Sequence, residues 1–339
     1  LVPAIEKMTR SIYNAGMQEI KNWLNHFGYG NYALTSLPGD ASARRYFRIQ
    51  DQNISHIVMD ASQEKASCTP YVAVADALRN LGLQTPEILL KDLDKGYLVI
   101  SDFGDDLYLK KLTSKNAQEL YLRATQDLLT LQKCEEVPGL QVTQFDAEVM
   151  TKELNLFREW FLEKYLKINL TSEDNKVLDQ TFGFLAEQCA KQPYVFTHRD
   201  YHSANLLVLP NQRVGLLDFQ DAFFGPITYD LVSLLRDCYV AWPEKQVLEW
   251  VKTFWEELKL RKISLPHFEF WFDMMGVQRH LKALMTFSRK YSRDNNSNYL
   301  QHIPRTLKYV LSTTQQYTDT KKLHSFLTQR VMESCAQLS

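Results

Sequence analysis

The chain has no apolar run approaching the roughly 20 residues that cross a bilayer, so a membrane-spanning helix is not expected. It has no excess of either charge. Lys and Arg number 39 against 40 Asp and Glu, a net charge of −1, which excludes the broad positive field of a nucleic-acid binder. Cysteine is sparse. The five (Cys68, Cys134, Cys189, Cys238 and Cys335) are odd in number and form no C-x-x-C pair, which argues for reduced thiols in a cytoplasmic protein and against a disulfide frame. The opening Leu1-Val2-Pro3-Ala4-Ile5-Glu6-Lys7 lacks the apolar stretch of a signal peptide, and it begins on Leu rather than Met, so either the start is unusual or residues precede it. Internal repeats and low-complexity linkers are also missing. What is present is ordinary for a globular chain: 45% hydrophobic, 23% charged, and 339 residues long, which suits one large domain or two lobes.

One stretch concentrates the chemistry. It is Thr197-His198-Arg199-Asp200-Tyr201-His202-Ser203-Ala204-Asn205, echoed by Leu216-Leu217-Asp218-Phe219-Gln220-Asp221. Tyr194-Val195-Phe196 leads in as a short strand, and 206–209 and 214–217 read as two more around the turn Pro210-Asn211-Gln212. Asp200 and Asn205 therefore fall on a loop between strands, and Asp218 at the end of one. Phosphoryl transfer from ATP uses such a set. One carboxylate orients an acceptor hydroxyl and takes its proton, while an amide oxygen and a second carboxylate hold magnesium against the phosphates. Mg²⁺ prefers hard oxygen ligands and keeps several waters, so one Asn and one Asp suffice. A rival reading takes His198, Asp200 and His202 as a metal cluster, but no further His/Cys group completes a zinc shell. The simpler reading of His198 is a histidine packed under the loop; His202 either does the same or faces substrate. Asp230, at a helix start after Pro226, reads as a loop-organising carboxylate.

The His-Arg-Asp-x-x-x-x-Asn pattern with its spaced Asp resembles the protein-kinase-like fold, and in detail its small-molecule branch, the aminoglycoside phosphotransferase and choline kinase superfamily. The run Asp218-Phe219-Gln220-Asp221-Ala222-Phe223-Phe224-Gly225-Pro226, continuing to Asp237, is closer still to one family. With Pro38-Gly39-Asp40-Ala41-Ser42-Ala43-Arg44-Arg45 and Gln278-Arg279-His280-Leu281-Lys282, it is similar to the bacterial anomeric N-acetylmuramate and N-acetylglucosamine kinases of cell-wall (peptidoglycan) recycling. The resemblance implies an α+β, bilobal protein-kinase-like fold. A small antiparallel-sheet N-lobe would occupy 1–103, with an N-terminal helix and a phosphate-covering loop; a larger, mostly helical C-lobe would occupy 104–339. It also implies ATP and Mg²⁺ as cofactors, Asn205 and Asp218 as metal ligands, and Asp200 as the group that takes the proton of the anomeric hydroxyl. The product would be a sugar 1-phosphate. A protein kinase is not expected, because 218–230 is too short for an activation segment.

In the N-lobe, residues 5–27 read as an amphipathic helix stopped by Gly28 and Gly30, with strands over 32–37, 46–49, 54–59, 87–90 and 97–100. Ser42, Arg44 and Arg45 in the turn after Leu37 are candidate phosphate contacts. Small residues let backbone N–H groups approach phosphates, and guanidinium groups grip phosphate oxygens in pairs. An ordinary hairpin is the plain alternative. Ile57-Val58-Met59-Asp60 stands where most kinases carry a phosphate-binding lysine. The helix over 69–81, N-capped by Thr69 with Pro70 at its first position, has no glutamate to pair with one. Arg44, Arg45 or Lys65 is expected to supply the missing charge. Ser101-Asp102-Phe103-Gly104 is the expected hinge, where the resemblance implies adenine binding by the backbone at Asp102 and Phe103; a plain linker is the alternative.

Beyond Asp105 the pattern turns helical, and Met150, Leu154, Phe157, Phe161 and Tyr165 recur as a buried face. Helices are expected over 230–240, 244–260 and 267–291. The last carries an aromatic cluster that is either core or a wall for a stacked sugar. His202, Asp221 and Arg279 are the candidate acceptor contacts, with a metal contact the alternative for Asp221. From Arg261 onward 12 Lys/Arg stand against 5 Asp/Glu, which suits a neutral or anionic acceptor better than a polycationic aminoglycoside or choline. A solvated face is the plain alternative. The chain is therefore expected to be a monomeric, cytoplasmic, ATP-dependent sugar kinase whose partners are a small sugar and ATP, with neither nucleic acid nor membrane. The alternatives are an aminoglycoside- or choline-type kinase and a non-catalytic nucleotide-binding module.

Overall fold

The computed structural model describes residues 17–37, 44–51, 54–260 and 262–334. The first part of the expected N-terminal helix, the tip of the phosphate-covering turn with Ser42, and Cys335 lie outside the described residues. The chain divides into two compact units: residues up to Asp76 with Thr85–Asp105, and Ala77–Gln84 with Asp106 onward. The division thus falls two residues past the expected 103, and 77–84 goes with the helical unit.

In the first unit a helix over 17–26 (α1) precedes β1 (Ala33–Ser36), β2 (Arg45–Gln50) and β3 (Ser55–Asp60). Then come α2 (Cys68–Asn80), β4 (Ile88–Asp92) and β5 (Tyr97–Ser101). The strands form one antiparallel sheet in the order β1-β2-β3-β5-β4. Alternation separates its faces. Phe47 and Ile49 of β2, Val58 of β3 and Val99 of β5 join Ile20, Trp23 and Leu24 of α1 in one core, and the pairs Phe47↔Val58 and Val58↔Val99 keep these residues in register. The single turn Lys65–Ser67 runs straight into α2, so Thr69 lies inside the helix instead of capping it.

Gly96 closes the β4–β5 turn at φ +79°, and a Cβ there would lie 2.9 Å from the carbonyl carbon and oxygen of Ala61. Its own carbonyl accepts the Ala61 N–H at 2.8 Å, so neither strand can move aside without losing that bond. Gly96→Ala is expected to cost roughly 2–4 kcal/mol from left-handed strain plus overlap. Thermal unfolding of the variant checks this; an unchanged midpoint would contradict the crowding.

In the second unit α3 (Tyr108–Lys111), α4 (Ala117–Leu131), α5 (Ala147–Phe157) and α6 (Ser172–Ala190) precede four short strands. These are β6 (Tyr194–Thr197), β7 (Leu206–Val208), β8 (Val214–Leu216) and β9 (Phe223–Pro226). Five helices follow: α7 (Tyr229–Leu235), α8 (Glu244–Leu258), α9 (Leu265–Asp294), α10 (Ile303–Thr314) and α11 (Lys321–Phe326). Thr171 and Asp174 make a reciprocal capping box at the start of α6. Ser264 caps α9, and a left-handed Asn295 ends it. Met150, Leu154, Phe157 and Phe161 are buried, as the periodicity predicts, whereas Tyr165 is half-buried; Leu178, Phe182 and Leu185 of α6 are buried too. The aromatic cluster of α9 is core as well. Phe268, Trp271 and Phe272 are buried where the helix packs on α5, α6, α7 and α10, each apolar side chain contributing roughly 1.5–3 kcal/mol.

β7 pairs antiparallel with β8, and β6 with β9. Strand β9 is absent from the sequence reading. Helix α7 stops at Leu235 instead of near 240, because Asp237 turns away from it: its carboxylate accepts the backbone N–H groups of Ser203 at 2.9 Å and Tyr239 at 2.7 Å.

Candidate active site

The loop from β6 to β7 carries Asp200 and Asn205, and its shape follows from what satisfies its backbone. Arg199 has φ +81°, a costly conformation for a residue with a Cβ, so neighbouring structure must hold it. Asp230, buried at the start of α7, does so. One carboxylate oxygen accepts the His198 N–H at 2.6 Å and the other accepts that of Arg199 at 3.1 Å. The Tyr201 hydroxyl donates to the Ala124 carbonyl on α4 at 2.8 Å, and Asp237 holds Ser203. Three anchors from separate elements thus fix one short loop. Asp230 is the loop organiser the sequence suggested.

His198 is fully buried, edge-on to the rings of Tyr201 and Phe219. Burial lowers its pKa to about 4, so it is neutral near pH 7. Among the described residues no group of three or more His, Cys, Asp or Glu is arranged to hold a metal, so the histidine metal cluster finds no support. His202 is half-buried, edge-on to Tyr239.

Asn205 sits where the loop meets β7. Its side-chain amide donates to the Asp200 carbonyl at 3.0 Å, and its own carbonyl accepts the Leu217 N–H at 3.0 Å, joining the loop to the segment that carries Asp218. Asp218 is itself left-handed, at φ +62°. The amide of Gln220 donates to Asp218 and to Asp221 at 3.0 Å each, drawing these carboxylates together. With its N–H committed, Asn205 presents an oxygen. An amide oxygen and a carboxylate are the hard-oxygen donor types that suit magnesium beside phosphates.

Asp200 borders a cavity of about 90 Å³ also lined by His202, Tyr239, Arg279 and Lys282. Burial would raise the Asp200 pKa, but Lys282, His202, Arg279 and Arg199 together hold it well below the usual carboxylate range. Arg279 lies with its guanidinium 4.1 Å from the centre of the Tyr229 ring, a cation–π contact, and its Nη1 finds no hydrogen-bond partner among the described residues. Sequence reasoning singled out Arg279 and His202 but gave no role to Lys282, Gln220 or Asp237. Its place in the Gln278–Lys282 run, three residues from Arg279 along one helix face, is the signal that could have pointed to Lys282.

In the first unit the candidate nucleotide contacts carry partners of their own. Arg44 Nε donates to Glu64 at 2.6 Å, and Arg45 Nε to Asp60 at 2.9 Å. Asp102 is enclosed: Arg48 Nε reaches it at 2.6 Å, Ser55 donates to it, and the Gly104 N–H closes a turn on it at 2.9 Å. Its carboxylate is a brace, which leaves the backbone for any ligand. Phe103 beside it is half-buried.

The fold and this loop define a class. The sequence profile of the phosphotransferase enzyme family matches residues 33–265, and the chain belongs to that family. Among curated proteins it is 37% identical to the N-acetylmuramate/N-acetylglucosamine kinase of Neisseria meningitidis serogroup B, over 92% of this chain and 95% of that one. It is 38% identical to the protein of the same name from Pseudomonas aeruginosa, over 88% and 91%. The solved structure of ADP-bound aminoglycoside phosphotransferase APH(2'')-Ib has a similar fold, with a TM-score of 0.61 at 16% identity over 86% of this chain and 97% of that one. Choline kinase LicA from Streptococcus pneumoniae is alike, with a TM-score of 0.62 at 15% identity over 88% and 99%.

Proposed function

We propose that this protein transfers the γ-phosphoryl group of ATP to the anomeric hydroxyl of N-acetylmuramate or N-acetylglucosamine, giving the sugar 1-phosphate in peptidoglycan recycling. The observation that carries the reading is the Asp200 carboxylate, fixed by a braced loop and opening on a cavity walled by the cations of α9. The names of the relatives point to the same acceptors. Asp200 accepts the hydroxyl proton. A loose transition state asks mainly for positioning, so an ionised carboxylate of low basicity serves. Asn205 and Asp218 would hold Mg²⁺, which when bound would neutralise charge on the phosphates. Ser42, Arg44 and Arg45 are assigned to the phosphates on sequence alone, and the backbone of Asp102 and Phe103 to the adenine edge. Arg279 meets the carboxylate of N-acetylmuramate, while His202 and Asp221 contact the sugar. No described helix is long and apolar enough to cross a membrane. The free thiols Cys68, Cys134, Cys189 and Cys238 fit a reducing compartment such as the cytoplasm, and the monomer is assigned on sequence alone.

The test is ADP release with MgATP against N-acetylmuramate, N-acetylglucosamine, glucose, choline and kanamycin. Turnover is expected on the two N-acetyl sugars, with an alkali-stable, acid-labile phosphate in the product. Turnover confined to choline or kanamycin would overturn the acceptor assignment, and ATP binding without turnover would favour a non-catalytic module.

A further inference from the structure

The reaction described above leaves Lys282 without a task. Its Nζ lies 3.5 Å from Asp200 Oδ1, and its side chain is 14% exposed against 29% for Asp200. No hydrogen bond from a described residue reaches the carboxylate oxygens of Asp200, so its orientation rests on this ion pair. A lysine taken so far out of water is costly unless a carboxylate faces it, and removing either partner strands the other. The pairing is also selective in shape. An ammonium is a point charge on a long stem and, unlike a guanidinium fork, need not occupy both oxygens of its partner.

We infer that Lys282 is a positioning residue for the phosphoryl transfer: its ammonium aims the Asp200 carboxylate at the acceptor hydroxyl and balances its charge. This rests on the reading of Asp200 as proton acceptor. In the step itself the sugar hydroxyl oxygen bonds to the γ-phosphorus, and the bond from that phosphorus to the bridging oxygen breaks. ADP keeps the electron pair, the hydroxyl proton passes to Asp200, and Lys282 neither gains nor loses a proton.

The groups facing Asp200 come from several elements. Lys282 and Arg279 reach it from α9, and Arg199 and His202 from its own loop. Asp230 on α7 faces it as a like charge, and Glu153 on α5 faces Lys282. His198 is neutral, and burial holds the phenols of Tyr229 and Tyr239 protonated. Lys282 is the only group among these in ion-pair contact with the carboxylate.

The experiment compares the wild type with Lys282→Met, Lys282→Arg and Asp200→Asn, in kcat, in both KM values and in kcat/KM against pH. Lys282→Met keeps the buried bulk and removes the charge. Its kcat should fall about 100-fold with the ATP KM within about twofold, and the acid limb of kcat/KM should move up by about one pH unit or more. Lys282→Arg should recover at least about a tenth of the turnover and return the acid limb toward the wild-type position. The inference is overturned if Lys282→Met keeps turnover within about threefold, or loses only acceptor KM. An unmoved acid limb with Lys282→Arg no better than Lys282→Met also overturns it, since that is the pattern of a packing role. Active Asp200→Asn would sink the underlying reading, whereas inactive Asp200→Asn beside unimpaired Lys282→Met would sink the Lys282 role alone.

Discussion

Asp200→Asn should lower kcat by about a thousandfold or more while ATP affinity stays within a few-fold. Asparagine matches the shape of the carboxylate and leaves the three backbone anchors of the loop untouched, so the loss reports chemistry and not collapse. Two effects add. The amide cannot accept the hydroxyl proton, and the ammonium of Lys282, 3.5 Å from Oδ1, loses its counter-charge. The affinity for ATP is spared because the assigned metal ligands, Asn205 and Asp218, are unchanged, and Asn205 is tied to the Asp200 main-chain carbonyl and not its side chain. Steady-state rates beside calorimetric titration of MgATP separate the two quantities. Near-normal turnover would remove Asp200 from the role.

The second large effect is expected at Asp230, which touches no assigned ligand. Asp230→Ala strands the buried N–H groups of His198 and Arg199, now satisfied at 2.6 and 3.1 Å. Each unsatisfied donor costs about 1–3 kcal/mol, so a loss of roughly 3–5 kcal/mol is expected, seen as a fall of the unfolding midpoint by roughly 5–15 °C. Released from that grip, Arg199 can leave its positive φ and carry Asp200 with it, and kcat should drop about a hundredfold as the geometry loosens. Asp230→Asn keeps an acceptor for one of the two amides and should fall between the variants. Calorimetry with steady-state kinetics reads both limbs. An Asp230→Ala protein with wild-type midpoint and turnover would show that the anchors at Tyr201 and Ser203 suffice and that Asp230 does not organise the loop.

Much of this was legible in the chain because the signals were local. The strands before and after the Asp200 loop announce themselves by short apolar runs and a Pro-Asn-Gln turn, and the buried face of α5 by its spacing. The failures share a cause, which is dependence on distant partners. Phe223-Phe224-Gly225-Pro226 looks like a strand-breaker, and becomes β9 only because Tyr194–Thr197 lies alongside it. The pattern after Asp230 continues as a helix on paper, but Asp237 is claimed by Ser203, which is 34 residues earlier. Asp102 marks the change from strands to helices correctly, yet the engagement of its carboxylate by Arg48 could not be read from a stretch that names only one of the partners. Lys282 stood in the Gln278–Lys282 run three residues from Arg279, but its pairing with Asp200, 82 residues earlier, is visible only in the fold.

Helix α9 has a consequence for how this enzyme can change. Arg279 and Lys282, which line the cavity beside Asp200, ride on the helix whose other faces hold Phe272, Met275, Gln278 and Leu281 buried against its neighbours. Acceptor recognition and foldability are therefore inherited together. A lineage adapting to a new sugar has little freedom along this helix, since substitutions there disturb the scaffold before they retune the site. Its open routes run through the short connections at the cavity rim, at His202 and Tyr239, where variation can alter fit without unseating the core.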